Sequence, residues 1–171
     1  MTENFSPVDA KGLANLLLDW ADELGVSVSP MKLQKLVYYC HAEFLIATGS
    51  PLLAQEFEAW EYGPVLPGLF HEFKKHGGEA ISSRATRFDP ITATRMVAPV
   101  AGLGKYSEVV KVAFTSYARF SASTLSRMSH AENGPWNQAL IEFIGGRNAG
   151  RKISNRLIAL HHDRGPRDSL H

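Results

Sequence analysis

Segment 29–49 constrains the fold more than any other part of the chain. Ser29 is a helix-capping residue, Pro30 stands where its missing N–H costs nothing, and Gly49-Ser50-Pro51 forbids continuation. Between these signals Leu33, Leu36, Val37, Cys40, Phe44 and Leu45 recur at three- and four-residue spacing, the buried stripe of one helix. Such a stripe needs cover, and the flanking sequence offers it. Residues 9–25 place Ala10, Leu13, Ala14, Leu17, Trp20, Ala21 and Leu24 on another helical face closed by Gly25.

Further helices follow the same logic. One starts at Val65 or Pro67 and runs to His76 with Leu69, Phe70 and Phe73 inward, ended by Gly77-Gly78. Another spans 105–120 through Val109, Val112, Ala113 and Tyr117. A short turn capped by Ser123 holds Leu125 and Met128. Pro135-Trp136 opens a helix through Leu140, Ile141 and Ile144, closed by Gly145-Gly146, and Ile153-Ser154 leads a last one through Leu157, Ile158 and Leu160. Phe57-Glu58-Ala59-Trp60-Glu61-Tyr62 reads as a strand ending at Gly63-Pro64, because aromatics favour the pleated conformation. Residues 79–104 lack any sustained period and contain Asp89-Pro90 and Pro99, so a long loop or one weak strand is expected. The fold class predicted is mainly α (α+β): a compact helical domain at 1–162 with a small strand element near 57–62, then a polar, flexible tail at 163–171.

Composition narrows the function. A chain of 171 residues buries roughly 70% of its unfolded surface on folding, so it needs no covalent staple. The single cysteine, Cys40, has no partner for a disulfide, and Cys/His pairs at zinc-ligand spacing are missing, so a reducing cytoplasm is the expected setting. The first residues, Met1-Thr2-Glu3-Asn4-Phe5, lack a basic n-region, and the apolar runs fall short of the roughly 20 residues a bilayer requires, so neither export nor membrane insertion is expected. Eighteen basic residues face 17 acidic ones, for a net charge of +1. That balance generates no global attraction to a nucleic-acid backbone. Only Arg147, Arg151, Lys152, Arg156, Arg164 and Arg167 form a locally basic stretch.

The chemical motifs are near misses. His71 and His76 are five residues apart, roughly 140° around a helix, where metal ligands on one face need a spacing of four. Cys40 and His41 are adjacent and diverge by about 100°, with the thiol on the apolar stripe. Gly102-Leu103-Gly104-Lys105 lacks the spacing and the hydroxyl of a phosphate loop, since Tyr106 follows. Glu43, Glu56, Glu58, Glu61 and Glu72 show no pairing for acid–base work. No enzyme, metal or cofactor is therefore expected. What stands out is an aromatic and proline set, Tyr38, Tyr39, Trp60, Tyr62, Pro64, Pro67 and Trp136, of the kind that anchors protein interfaces. Tyr38 and Tyr39 diverge on one helix, so at least one is expected at the surface.

Three segments carry a family resemblance: Met31-Lys32-Leu33-Gln34-Lys35-Leu36-Val37-Tyr38-Tyr39, then Glu58-Ala59-Trp60-Glu61-Tyr62-Gly63-Pro64-Val65, then Leu125-Ser126-Arg127-Met128-Ser129-His130 with Pro135-Trp136. Together they resemble the Panacea domain of SocA-like antitoxins, in order, over roughly residues 10 to 162. The segment Ala131-Glu132-Asn133-Gly134 departs from it by a glycine insertion. The resemblance implies a mainly helical fold and an antitoxin that neutralises a toxin encoded beside it, here a SocB-like one. For the branch most similar to this chain it further implies a proteolytic adaptor that delivers the toxin to the ClpXP protease, with direct occlusion of the toxin as the alternative.

Taken with the aromatic set, this reading puts the protein-binding site at the second helix and the Gly63-Pro64 turn, with Lys32, Gln34, Lys35, Tyr38 and Tyr39 exposed beside Tyr62 and Pro64. Loop 79–104 or the tail after Leu160 would meet the protease. An enzyme using His130 or Cys40, and a DNA-binding regulator using the basic C-terminal helix, are the competing readings.

Overall fold

The computed structural model describes residues 4–163. Its first two helices are α1 (Ala10–Leu24) and α2 (Pro30–Thr48). The Asp9 carboxylate accepts from the Lys11 N–H at the start of α1, and Ser29 accepts from Lys32 at the start of α2. Gly25 and Gly49 end them in the left-handed conformation that glycine adopts without strain.

Residues 33–42 of α2 are enclosed on all sides, and the helix serves as the axis of the molecule. Its six stripe residues are buried as the spacing predicts, but so are Gln34, Lys35, Tyr38, Tyr39, His41 and Ala42. The expectation that Gln34, Lys35 and at least one of Tyr38 and Tyr39 are exposed is therefore corrected. Neighbouring side chains do diverge by about 100°, but a helix surrounded by other elements has no outer face for either to occupy. Tyr38 and Tyr39 are 2% and 3% exposed, and the Tyr39 ring stacks on Tyr117 at 4.3 Å.

The predicted strand is two strands. β1 (Phe57–Trp60) turns back into β2 (Gly63–Val65), with Ala59 opposite Pro64, so Gly63-Pro64 begins a return strand and does not end the element. Pro64 is buried, which corrects its expected exposure. The chain continues into α3 (Pro67–Phe73), followed by a 3-10 turn, Lys74–His76. His71 and His76 thus do not share one regular helix; His71 is exposed and His76 contacts the Ser83 hydroxyl at 3.0 Å.

Segment 79–104 contains an antiparallel hairpin, β3 (Thr86–Asp89) with β4 (Thr94–Val97), where a loop or one strand was expected. Its side chains are largely solvent-exposed, so no hydrophobic alternation marks it in the sequence. Its root is clamped by buried Asn15, which donates to the carbonyls of Ala85 (3.1 Å) and Ala98 (2.8 Å) and accepts from the Ala85 N–H (2.8 Å). Glu72 adds a second grip, accepting from the Thr86 N–H at 2.7 Å and pairing with Lys11 at 3.0 Å. Gly12 lets the strap pass close to α1, since a Cβ there would meet the Pro99 carbonyl at 2.8 Å.

The remaining elements are α4 (Ser107–Ala118), α5 (Ala122–Ser129), α6 (Pro135–Ile144), β5 (Lys152–Ile153) and α7 (Asn155–Asp163). β5 pairs with the free edge of β1, with Ile153 opposite Phe57, and completes a sheet ordered β2-β1-β5. Two residues leave too little pattern for a strand to be read from sequence. Ser121, and not Ser123, caps α5. The buried face of α4 is Val110, Ala113, Phe114 and Ala118, one step round from the predicted stripe, because Phe114 packs on Trp20. Leu24, Phe70, Val112, Ile141, Ile144 and Leu160, all read as inward, are exposed. The described residues include no helix long and apolar enough to cross a membrane. Of the tail expected at 163–171, Asp163 closes α7 and residues 164–171 lie outside the described residues.

α7 covers the tyrosines of α2. The His162 ring lies 5.9 Å from Tyr38 and 6.1 Å from Tyr39, centroid to centroid. Burial, with His161 beside it, pushes the His162 pKa down from 6.5 to about 4. The folded state holds this ring neutral while the unfolded chain protonates it, so its docking is intact above pH 6.5 and loses stability as pH falls toward 4. His162→Phe should flatten that dependence: between these two pH values the unfolding midpoint of the parent should fall more steeply than that of the variant.

Candidate protein-binding groove

The three motif segments meet at one place, the β1–β2 turn. The Trp136 indole N–H donates to the Trp60 carbonyl at 2.6 Å, and His130 Nε2 lies 3.0 Å from the Glu61 carbonyl. The Ser126 hydroxyl donates to the Tyr62 carbonyl at 2.9 Å, and the Lys35 ammonium donates to the Pro64 carbonyl at 2.9 Å. Gln34 extends the series by holding both backbone groups of Leu66, donating to its carbonyl at 3.0 Å and accepting from its N–H at 2.9 Å. Turn carbonyls away from a ladder must find other donors, and here side chains from α2, α5 and α6 supply them.

Gly63 makes this possible. Its φ of +104° is closed to ordinary side chains, and a Cβ would overlap the Ser129 hydroxyl and lie 2.8 Å from Lys35 Nζ. Lys35 itself is 1% exposed, and burial pushes its ammonium down to about 7. The His130 and Trp136 rings meet edge-on at 4.1 Å beneath the same turn.

The latched turn forms one wall of a groove. Its other walls are the first turns of α2 and the outer face of α3, enclosing about 460 Å³. Met31, Trp60, Tyr62, Val65, Leu69 and Phe70 give it an apolar lining. Tyr62 is 59% exposed and Phe70 40%, and Phe70 packs edge-on against Trp60 at 5.0 Å. Trp60 is held by its indole N–H, which donates to Glu58 at 2.8 Å, while Glu58 also pairs with Lys152 at 3.0 Å. An apolar concavity with exposed aromatics at its lip is suited to receive apolar side chains.

Of the seven residues predicted to bind a partner, Gln34, Lys35 and Tyr62 line this groove. Lys32 is half-buried beside Met31. Tyr38 and Tyr39 lie under α7 and Tyr117, and Pro64 lies in the sheet, so these three are not presented at the groove. Sequence reasoning missed Met31 and Phe70. The available signal was surplus: Leu69 and Phe73 already satisfy the inward face of α3 at i and i+4, which leaves Phe70 as an apolar residue that the core does not need.

The residues of the competing readings are engaged elsewhere. Cys40 is fully buried, which pushes its thiol up, and His41 is held between the Leu53 N–H and Asn155. Both His130 nitrogens face carbonyls, Nδ1 that of Ser126 at 2.6 Å. Glu43 accepts from the Tyr117 hydroxyl at 2.7 Å. Among the described residues no group of three or more His, Cys, Asp or Glu is placed to hold a metal ion. Within the basic stretch, Lys152 pairs with Glu58 and Arg151 stacks over Phe143.

These features define a mainly helical α+β protein built on one enclosed helix, with an apolar groove beside a side-chain-latched turn. The chain belongs to the family of SocA-like antitoxins with the Panacea domain, whose family model, "Antitoxin SocA-like, Panacea domain", matches residues 33–137. It is similar to Antitoxin SocA of Caulobacter vibrioides (strain NA1000 / CB15N), being 36% identical over 137 residues, or 80% of this chain and 73% of that protein. No solved structure matches it.

Proposed function

We propose that this protein is the antitoxin of a toxin–antitoxin pair, that it binds its toxin in the groove between α2, the β1–β2 turn and α3, and that it delivers the toxin to ClpXP. The observation that carries the site is the convergence of all three family motifs on the turn that walls the groove. Family membership supports the antitoxin role. An adaptor needs a second surface, and the β3–β4 hairpin offers one: Phe88, Ile91 and Val97 are exposed on it. α3 joins the two surfaces, with Phe70 in the groove and Glu72 gripping the hairpin root. Such a protein works in the cytoplasm, without a cofactor.

Co-expression with the adjacently encoded protein tests the groove. Tyr62→Ala and Phe70→Ala remove exposed side chains, so both variants should fold normally and each should weaken co-purification of the toxin by about tenfold or more, as interface anchors do. Retained toxin in both would exclude the groove. Toxin that is bound but stable in cells containing ClpXP would indicate neutralisation by occlusion. DNA retention that falls steeply with salt, without toxin binding, would favour the regulator reading.

A further inference from the structure

The groove carries an uneven distribution of charge. Glu58 is paired with Lys152, and Glu72 is held by Lys11 and Thr86, so the acids flanking the groove are largely spoken for. The cations are not. Among the described residues no carboxylate lies within ion-pair distance of Lys32, Lys74 or Lys75. Lys74 lines the groove, Lys75 follows it in sequence, and Lys32 stands next to Met31, another lining residue. Lys32 is partly desolvated, which lowers its pKa without any anion in compensation. Glu61 is the acid in the lining, and it too has no ion pair among the described residues, so one free carboxylate stands against three free lysines. A chain of net charge +1 thus leaves Lys32, Lys74 and Lys75 without an ion pair in or beside this apolar concavity.

We propose that the occupant of the groove is an amphipathic helical segment of the partner protein, with apolar side chains set against Trp60 and Phe70 and acidic side chains meeting Lys32 and Lys74. This rests on the reading of the groove as a partner site and adds the chemistry of what fills it. The concavity has the size of a site for a few large side chains, and a helix with anchors at i, i+4 and i+7 is a common way to fill one. Acidic flanks would convert unpaired cations into interfacial pairs, which chiefly raises selectivity and association rate.

The test uses the full chain and two fluorescein-labelled synthetic peptides. Both carry leucines at i, i+4 and i+7; one bears glutamates on the other faces and the second bears lysines. Fluorescence anisotropy should show the glutamate peptide binding at least about tenfold more tightly at low salt, with the advantage shrinking as salt rises. The double variant Lys32→Glu, Lys74→Glu should reverse the order, and Phe70→Ala should weaken both peptides. Equal affinities, a preference for the lysine peptide, no binding of either, or an order unchanged in the double variant would overturn the proposal. Toxin co-purification separates the two levels. Loss of toxin by Phe70→Ala together with indifference to peptide charge sinks the acidic occupant alone, whereas toxin binding that survives Phe70→Ala sinks the groove itself.

Discussion

Gly63→Ala should destabilise the fold by about 3 kcal/mol and abolish toxin binding, although it adds a single methyl group to the β1–β2 turn. Two independent effects combine. A φ of +104° is strained for any residue with a Cβ, and the new carbon would overlap Ser129 Oγ and sit 2.8 Å from Lys35 Nζ. Lys35 cannot simply swing away, because it is buried and donates to Pro64. Relief must come from displacing the turn, and Trp60 and Tyr62, which line the groove, move with it. Gly68→Ala in α3 is the matched control: a Cβ there meets nothing within 4 Å, and stability should change by less than about 0.5 kcal/mol. Urea denaturation of the three proteins measures the difference directly.

Asn15→Leu should cost about 3 kcal/mol and release the β3–β4 hairpin from the body. Asn15 is 1% exposed and makes three hydrogen bonds to the backbone of Ala85 and Ala98, which are themselves buried. Leucine matches its branching and heavy-atom count but leaves buried carbonyls and an N–H without those partners, and the desolvation of such groups is not recovered. Hydrogen exchange should accelerate at Ala85, Thr86 and Ala98 while the amides of α2 keep their protection. Uniform acceleration across the chain would show instead that the hairpin root and the core unfold as one unit. The variant also probes the second surface, since toxin binding at the groove should survive while turnover of the bound toxin slows.

The long elements were legible in the sequence because their caps and stripes agree. Ser29-Pro30 and Gly49 bound α2 as read, and Asp9 and Gly25 bound α1. Pattern reading failed where burial did not follow period. α2 is enclosed on every side over residues 33–42, so its polar residues were read as a solvent edge when Gln34 and Lys35 are in fact inward-facing ties to Leu66 and Pro64. The β3–β4 hairpin was hidden for the opposite reason: it is exposed, and its stability comes from Asn15 and Glu72, distant in sequence. For the proposed site, the motifs converge on one turn, but most of the side chains read as exposed there are buried. Several of their polar residues build the wall, and the lip comes from Met31, Tyr62 and Phe70, of which only Tyr62 had been singled out.

The most direct test of the account is the half-life of the adjacently encoded toxin, measured after blocking synthesis in cells that carry this protein or its Phe70→Ala variant, with ClpXP present or deleted. A groove-bound adaptor requires rapid decay only when the parent protein and ClpXP are both present, and equal stabilisation on losing ClpXP or on Phe70→Ala. A half-life that is the same in all four strains would contradict delivery to the protease, and rapid decay persisting with Phe70→Ala would contradict the groove as the surface that holds the toxin.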